Sequence, residues 1–345
     1  MGQVGIINIG LEHWGYIQYS SPYLIPEHYG AKGGGIIDDT LALQACFNAA
    51  VSMGKSVFLS KLYGTTGNLS IPSFSHIKGN ASSYSGTGGA GLKLIAGEND
   101  ILINSDPIAG NQHIILEDFY ISGNAVGAGA GTGIKFIKTN RCRIHNIRLN
   151  KIGAQGFYFD GCKENELLNL QGMNIFGDGI YFNGTSDSFI QHSNLTSKTR
   201  GIYLGGSSAN NIVSGNTIYL CGTYGIMIQA NRNVVCNNRS NTNVKSGIYI
   251  YACNRNTVNN NECYDNGTGG AGLCDGIDLG GAATYNVLIG NSSSNNLGVT
   301  QPYGIKISDA ADYNICRLNQ LYQNASGGII VVGTGVNNVI TDNIP

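Results

Sequence analysis

The chain has 345 residues, only 12% of them charged, with a formal net charge of -1. No basic stripe suited to a nucleic-acid backbone is visible, and no run of about 18 apolar residues suits a membrane span. Nine cysteines occur without a CxxC pair or a Cys/His cluster at metal spacing.

Residues 1–28 read as an aromatic, nearly uncharged arm. It is suited either to attachment or subunit contact or to lying as an edge strand on the first coil. It has no basic start and no unbroken apolar stretch, and it contains Glu12, His13 and Trp14, so it does not read as a classical signal peptide. Residues 29–55 read as a cap. Asp38 or Asp39 is placed to cap a helix whose apolar positions include Leu43, Cys46, Phe47 and Ala50, and Gly54 ends it. Residues 56–132 read as irregular early coils.

From Gly133 a phrase returns nine times: GIKF at Gly133, GFYF at Gly156, GIYF at Gly179, GIYL at Gly201, GIMI at Gly225, GIYI at Gly247, GIDL at Gly276, GIKI at Gly304 and GIIV at Gly328. A short, regular repeat of this kind is the signature of a solenoid, and the alternation after each glycine is that of one strand. A second phrase keeps step with the first. Asn211/Asn216, Asn233/Asn238, Asn256/Asn261, Asn286/Asn291, Asn314/Asn319 and Asn338/Asn343 are each five positions apart. In stacked coils they form amide ladders, and Asn also tolerates the left-handed corners a coil needs. The fold class read from these features is all-β: a single-stranded right-handed parallel β-helix with an N-terminal capping α-helix. At about 4.8 Å per coil, the nine regular coils of 133–345 make a rod segment near 40 Å long. Most cysteines read as buried core thiols, with a Cys263–Cys274 disulfide as the one pairing to test.

The stretch Tyr29-Gly30-Ala31-Lys32-Gly33, followed by Asp38-Asp39-Thr40, resembles the opening of the pectate-lyase-like β-helix superfamily, with Gly34 where that family usually carries Asp. The superfamily includes viral tailspikes, polysaccharide lyases, hydrolases and epimerases. The resemblance implies the fold, and it implies a polysaccharide as the partner class. The paired-Asp and Gly-His-Gly signatures of polygalacturonases and the Asp-Pro-His-Glu signature of alginate epimerases are absent.

Alternation turns the second residue after each glycine outward. This gives a stripe of Lys135, Tyr158, Tyr181, Tyr203, Met227, Tyr249, Asp278, Lys306 and Ile330, with Asp160, Asn183, Gln229 and Tyr251 beside it. The stripe reads as a sugar-stacking groove, as a subunit interface, or as ordinary cross-strand tyrosine packing. Its carbohydrate-binding candidates are Tyr158, Tyr181, Tyr203, Tyr249, Tyr251 and Asp278. Glycosidic hydrolysis needs two carboxylates at close range. Asp178 and Asp275 are four coils apart, about 19 Å, and cannot form one pair. Glu164 and Asp187 fall at the same offset on adjacent coils, with Arg141 one coil before and Asp160 close in sequence, and these three acids are the catalytic candidates. A lyase would instead call for a base with Ca²⁺, and no dense Asp cluster for Ca²⁺ is visible. The functional expectation is a homotrimeric tailspike or fibre on a virion surface, or otherwise extracellular. It would bind host glycan, with or without cutting it, and its arm could meet other tail proteins. The alternatives are a carbohydrate-active enzyme (polysaccharide lyase, glycoside hydrolase or epimerase) free of any virion, and a non-catalytic rod.

Overall fold

The computed structural model describes residues 21–80, 89–270, 274–296 and 301–344. Most of the expected arm, residues 1–20, lies outside them. Its described end carries a short strand, Tyr23–Leu24, and a 3-10 turn, Pro26–Tyr29.

Each coil runs through three strands on three parallel sheets. Among the described residues, in chain order within a coil, these are face 1, of eleven strands, face 2, of thirteen, and face 3, of ten. Every strand pairs in parallel with its equivalent one coil away, so the chain winds as a single parallel β-helix with the right-handed crossover that parallel strands require. The glycine phrases supply the nine strands of face 1 from Ile134–Ile137 onward, and their registers match residue for residue, as in Tyr158↔Tyr181↔Tyr203. The early segments are more regular than the sequence suggested. Leu69–Ile71 and Leu102–Asn104 extend face 1 by two strands, while Gly91–Leu94 and Ile115–Glu117 belong to faces 3 and 2. The two face 1 phrases lack the leading glycine, which hid the continuity.

The repeat needs glycine for space. A Cβ on Gly133, Gly156, Gly179 or Gly201 would lie 2.6, 2.6, 2.5 or 2.7 Å from the carbonyl oxygen of the next glycine in the stack. Inward-facing Ile, Leu, Val and Phe from all three faces form one continuous core, in which Phe136, Phe159 and Phe182 pack edge to face with ring centroids 5.6 Å apart.

The asparagine ladders form as expected. In both, the backbone N–H and the side-chain amide of one Asn donate to Oδ1 of the next, as Asn238 does to Asn261 at 3.0 Å each. The left-handed residue is the one before the ladder position, not the ladder Asn: Asn210, Arg232, Arg255, Tyr285 and Tyr313 all have φ between 55° and 61°. Turning the Asn inward obliges its predecessor to turn outward. A third ladder, Asn243, Asn266, Gln301 and Asn324, escapes the sequence reading because its spacing is broken by long corners.

The cap is α1, Thr40–Ser52, which buries Leu43, Cys46, Phe47 and Ala50 on the first coils. Gln44 of α1 bonds both the N–H (2.7 Å) and the carbonyl (2.8 Å) of Ser70, closing the open edge of face 1. Asp38 accepts the Thr40 N–H at 3.0 Å, whereas Asp39 folds back to accept from Lys32 and Gly33 N–H at 2.6 and 3.0 Å. The paired aspartates therefore divide the work between helix start and glycine loop. All nine cysteines are free thiols, Cys263 and Cys274 among them, so that disulfide does not form.

Candidate functional site

The outer side of face 1 is built from three rows, each repeating once per coil. The middle row is the stripe that alternation turns outward. A second row, the residue before each phrase glycine, holds Asp178, Arg200, Tyr224, Ser246, Asp275 and Tyr303. A third holds Asp160, Asn183, Gly205, Gln229, Tyr251 and Gly280. Sequence reasoning had the first and part of the third. The second row was legible from the same repeat, one residue upstream of each glycine.

The rings form an aromatic floor. Tyr158–Tyr181 centroids lie 5.3 Å apart, Tyr181–Tyr203 stack at 4.5 Å, Tyr224–Tyr249 stack at 4.6 Å, and Tyr249–Tyr251 lie 5.4 Å apart. Gly205 and Gly280 allow two of the rings to lie down: a Cβ at Gly205 would sit 2.7 Å from Tyr203 Cζ, and one at Gly280 would sit 2.8 Å from the Tyr249 hydroxyl. Arg200 occupies the gap between the two stacks. It holds buried Asp178 through Nε–Oδ1 and Nη2–Oδ2 bonds of 2.8 Å each, and its guanidinium lies 3.7 Å from the Tyr203 ring centroid. With a stacked guanidinium above it and its hydroxyl donated to Gln229 at 2.6 Å, Tyr203 is only 9% exposed. It is thus a support rather than a contact surface. Tyr158, Tyr181, Tyr224, Tyr249 and Tyr251 remain half-buried and present surface. Burial pushes the phenols of Tyr181 and Tyr224 up to about 12, so they stay protonated donors.

Asp278 departs from the solvent-facing position expected of it. It is 8% exposed and Asp275 is 1% exposed, and the two carboxyls lie within hydrogen-bonding reach of one another. Asp275 Oδ1 accepts the Tyr303 N–H at 2.9 Å, and its Oδ2 is 3.9 Å from Lys306 Nζ. Asp278 Oδ2 accepts from Ser246 Oγ at 2.5 Å, while its Oδ1 has no other partner. A proton held between the two carboxyls would satisfy that oxygen. Burial first, then the charge of Asp278, raises Asp275 from 3.8 to about 7, and burial likewise raises Asp278.

The three acids expected to cooperate have separate partners. Glu164 Oε2 takes Arg141 Nε at 2.6 Å, Asp187 Oδ1 takes Asn210 Nδ2 at 3.2 Å, and both are exposed at the corner between faces 1 and 2. Asp160 belongs to face 1, where it accepts from Tyr158 Oη at 3.3 Å and Asn183 Nδ2 at 3.0 Å. Glu164 does line a cleft of about 640 Å³ with Arg141, Arg143, Glu166, His113 and Phe189. That cleft is on face 2, around the corner from the tyrosine floor.

Comparison with known proteins agrees with this architecture. The chain is 26% identical over 350 aligned positions to the capsule K30/K69-specific depolymerase 1 of Klebsiella phage K5-2, covering 94% of this chain and 40% of that protein. The Dettilon tailspike protein superposes with a TM-score of 0.67 at 20% identity, covering 90% of this chain and 68% of the tailspike. The A-module of the mannuronan C-5 epimerase AlgE4 of Azotobacter vinelandii superposes with a TM-score of 0.66 at 16% identity, covering 92% of this chain and all of that module. These likenesses show the pectate-lyase-like, right-handed parallel β-helix that the opening motif implied. A family described as "Periplasmic copper-binding protein (NosD)" matches residues 108–295. Copper finds no donor set here: among the described residues no three of His, Cys, Asp and Glu group at ligand spacing, and most of the thiols are buried in the core. The match is to the coil repeat, and since it spans more than half of the chain, the protein belongs to the NosD family of β-helix proteins.

Proposed function

We propose that this chain is the glycan-handling β-helix of a tailspike-like host-attachment protein, binding a cell-surface polysaccharide along the tyrosine floor of face 1. The carrying observation is the floor itself. Five half-exposed tyrosines are held in fixed, partly lying orientations by Gly280, Arg200 and their own stacking, on a face built mainly of neutral polar and aromatic groups. Rigid aromatic faces with hydroxyl and amide neighbours (Tyr158, Asn183, Gln229, Tyr251) suit sugar rings, which offer an apolar face and a rim of hydroxyls. A relative that acts on bacterial capsule, matched across nearly the whole of this chain, supports the same reading. The chain spans well under half of that relative, so its activity is carried over as part of this proposal.

Cleavage, where it occurs on this floor, falls to Asp278 and Asp275, with a proton shared near neutral pH to give to a leaving oxygen. Glu164 with Asp187 and Asp160 forms the second catalytic candidate. Binding without cleavage is favoured by one observation, the near-complete burial of the Asp275–Asp278 pair. We place the protein on a virion tail or otherwise outside the cell, as a homotrimer whose N-terminal segment meets other tail proteins.

The test is binding and reducing-end release on a panel of purified capsular polysaccharides. Tyr181→Ala and Tyr249→Ala should each weaken binding about tenfold or more. Where release is seen, Asp278→Asn should abolish it while binding persists, and Glu164→Gln with Asp187→Asn should leave it intact. Unchanged binding in both tyrosine variants refutes the floor, and release that follows Glu164 and Asp187 moves catalysis to the corner.

A further inference from the structure

The protein has eight arginines. Arg141, Arg143, Arg200, Arg239 and Arg317 each pair with a carboxylate on a neighbouring coil, and Arg148 is also engaged. The remaining two, Arg232 and Arg255, stand on adjacent coils at the same corner position, both exposed and both in the left-handed conformation at φ 61° and 58°. Among the described residues neither guanidinium has a hydrogen-bonded or ionic partner. The corner row runs Arg141, Glu164, Asp187, Asn210, Arg232, Arg255, Tyr285 and Tyr313. Its first four members satisfy one another in two cross-coil pairs, Arg141–Glu164 and Asn210–Asp187. The two stand at a corner between strands, where like charges about one coil apart repel and neither is offset by an acidic partner among the described residues.

The two arginines flank a hollow of about 380 Å³ whose other walls include Gly206, Ser207, Asn231 and Asn254. Those walls offer hydroxyls, amides and bare backbone, and no carboxylate. The row continues directly into Tyr285 and Tyr313, half-exposed and stacked at 5.2 Å with their planes 13° apart. Two cationic side chains on adjacent coils beside one hollow offer charge-assisted donors to a carboxylate, and the adjoining ring pair offers a face to the sugar that carries it.

We infer that Arg232 and Arg255, with the Gly206–Ser207 hollow and the Tyr285/Tyr313 pair, form a second saccharide site selective for an acidic sugar residue. The site lies around the corner from the tyrosine floor. It rests on the proposed glycan function only for the identity of the polymer, since the anion recognition is its own.

Isothermal titration of the full chain with trigalacturonate, maltotriose and sodium sulfate tests it. Trigalacturonate should bind in preference to maltotriose, with an affinity that falls as salt rises. Arg232→Gln and Arg255→Gln should each lower it roughly tenfold, and the double variant roughly a hundredfold, from loss of one and two charge-assisted contacts. Both side chains are exposed, so these variants should melt at or above the wild-type temperature. Equal affinity in the double variant, or equal affinity for maltotriose, overturns the site. Sulfate binding as tight as trigalacturonate overturns its assignment to a sugar. If the tyrosine floor proves inert while arginine-dependent binding persists, the floor reading fails and this site stands.

Discussion

The Asp275–Asp278 pair makes stability fall as pH rises, the reverse of the usual carboxylate effect. A carboxyl whose folded-state value is raised binds more protons folded than unfolded, so its contribution is intact below the unfolded value and is lost as pH climbs toward the folded one. For Asp275 the window runs from 3.8 to about 7. At about 1.36 kcal/mol per unit, that interval is worth on the order of 4 kcal/mol. Asp275 is 1% exposed, so solvent screening does not reduce the figure much, although its coupling to Asp278 spreads the transition over the pair. Lys306 opposes the effect only partly at 3.9 Å, and Ser246 serves Asp278 in either state. Asp275→Asn removes the titration while keeping an oxygen for the Tyr303 N–H. Urea unfolding at half-unit steps from pH 4.5 to 8 is the assay. Wild type should lose stability across that range, most steeply below neutrality, and the variant's profile should be flatter by a few kcal/mol, leaving it the more stable protein at pH 8. Parallel profiles for the two proteins would show that the carboxyls do not share a proton.

The coil stack carries two more predictions. Asn261→Ala deletes four side-chain bonds, two accepted from Asn238 and two donated to the Val235 carbonyl and Asn291, all 2.9–3.0 Å. At about 1 kcal/mol each the loss is about 4 kcal/mol by urea titration, and a loss below about 1 kcal/mol would show that the ladder does not hold the coils. Gly205→Ala drives a methyl into the Tyr203 ring, lifting it off Gln229 and away from Arg200, at about 1–3 kcal/mol. Glycan affinity should fall with it, and an unchanged affinity would detach Tyr203's posture from binding.

The fold was legible because a solenoid writes its geometry into the sequence once per turn. Each phrase glycine marks a close backbone approach, each following Ile or Phe a core position, and each Asn pair two ladders, so errors in one coil are corrected by the next. The third ladder stays hidden because corners of unequal length separate Asn266 from Gln301 and mask the shared position. The site was legible to the extent that it follows alternation. Tyr158, Tyr181, Tyr249 and Tyr251 lie where period two puts them. Alternation fixes the side of the sheet a residue faces, but it does not fix what covers that side. Asp278 faces out and is nonetheless buried against Asp275, Ser246 and Tyr249, and Tyr203 faces out beneath Arg200.

The expected catalytic acids each find a separate partner, for a related reason. Glu164 and Asp187 do share a corner row, as their equal offsets required, but a row offers each acid a partner on both neighbouring coils. Arg141 takes Glu164 and Asn210 takes Asp187, so each acid is engaged by a neighbouring coil. Sequence offsets compare Asp275 only with Asp178, which is too far away. Its nearer acid is Asp278, three residues on in the same coil and on a different row. In a β-helix, then, acids that share an offset stack along the rod and are open to neutralisation by the coils on either side. Acids on neighbouring rows of one coil can also reach each other, as Asp275 and Asp278 do alongside their cross-coil contacts to Lys306 and Ser246, and such a pair can be left to share a proton. A search for chemistry in such a fold is better run across the rows of a single coil than down one row of many.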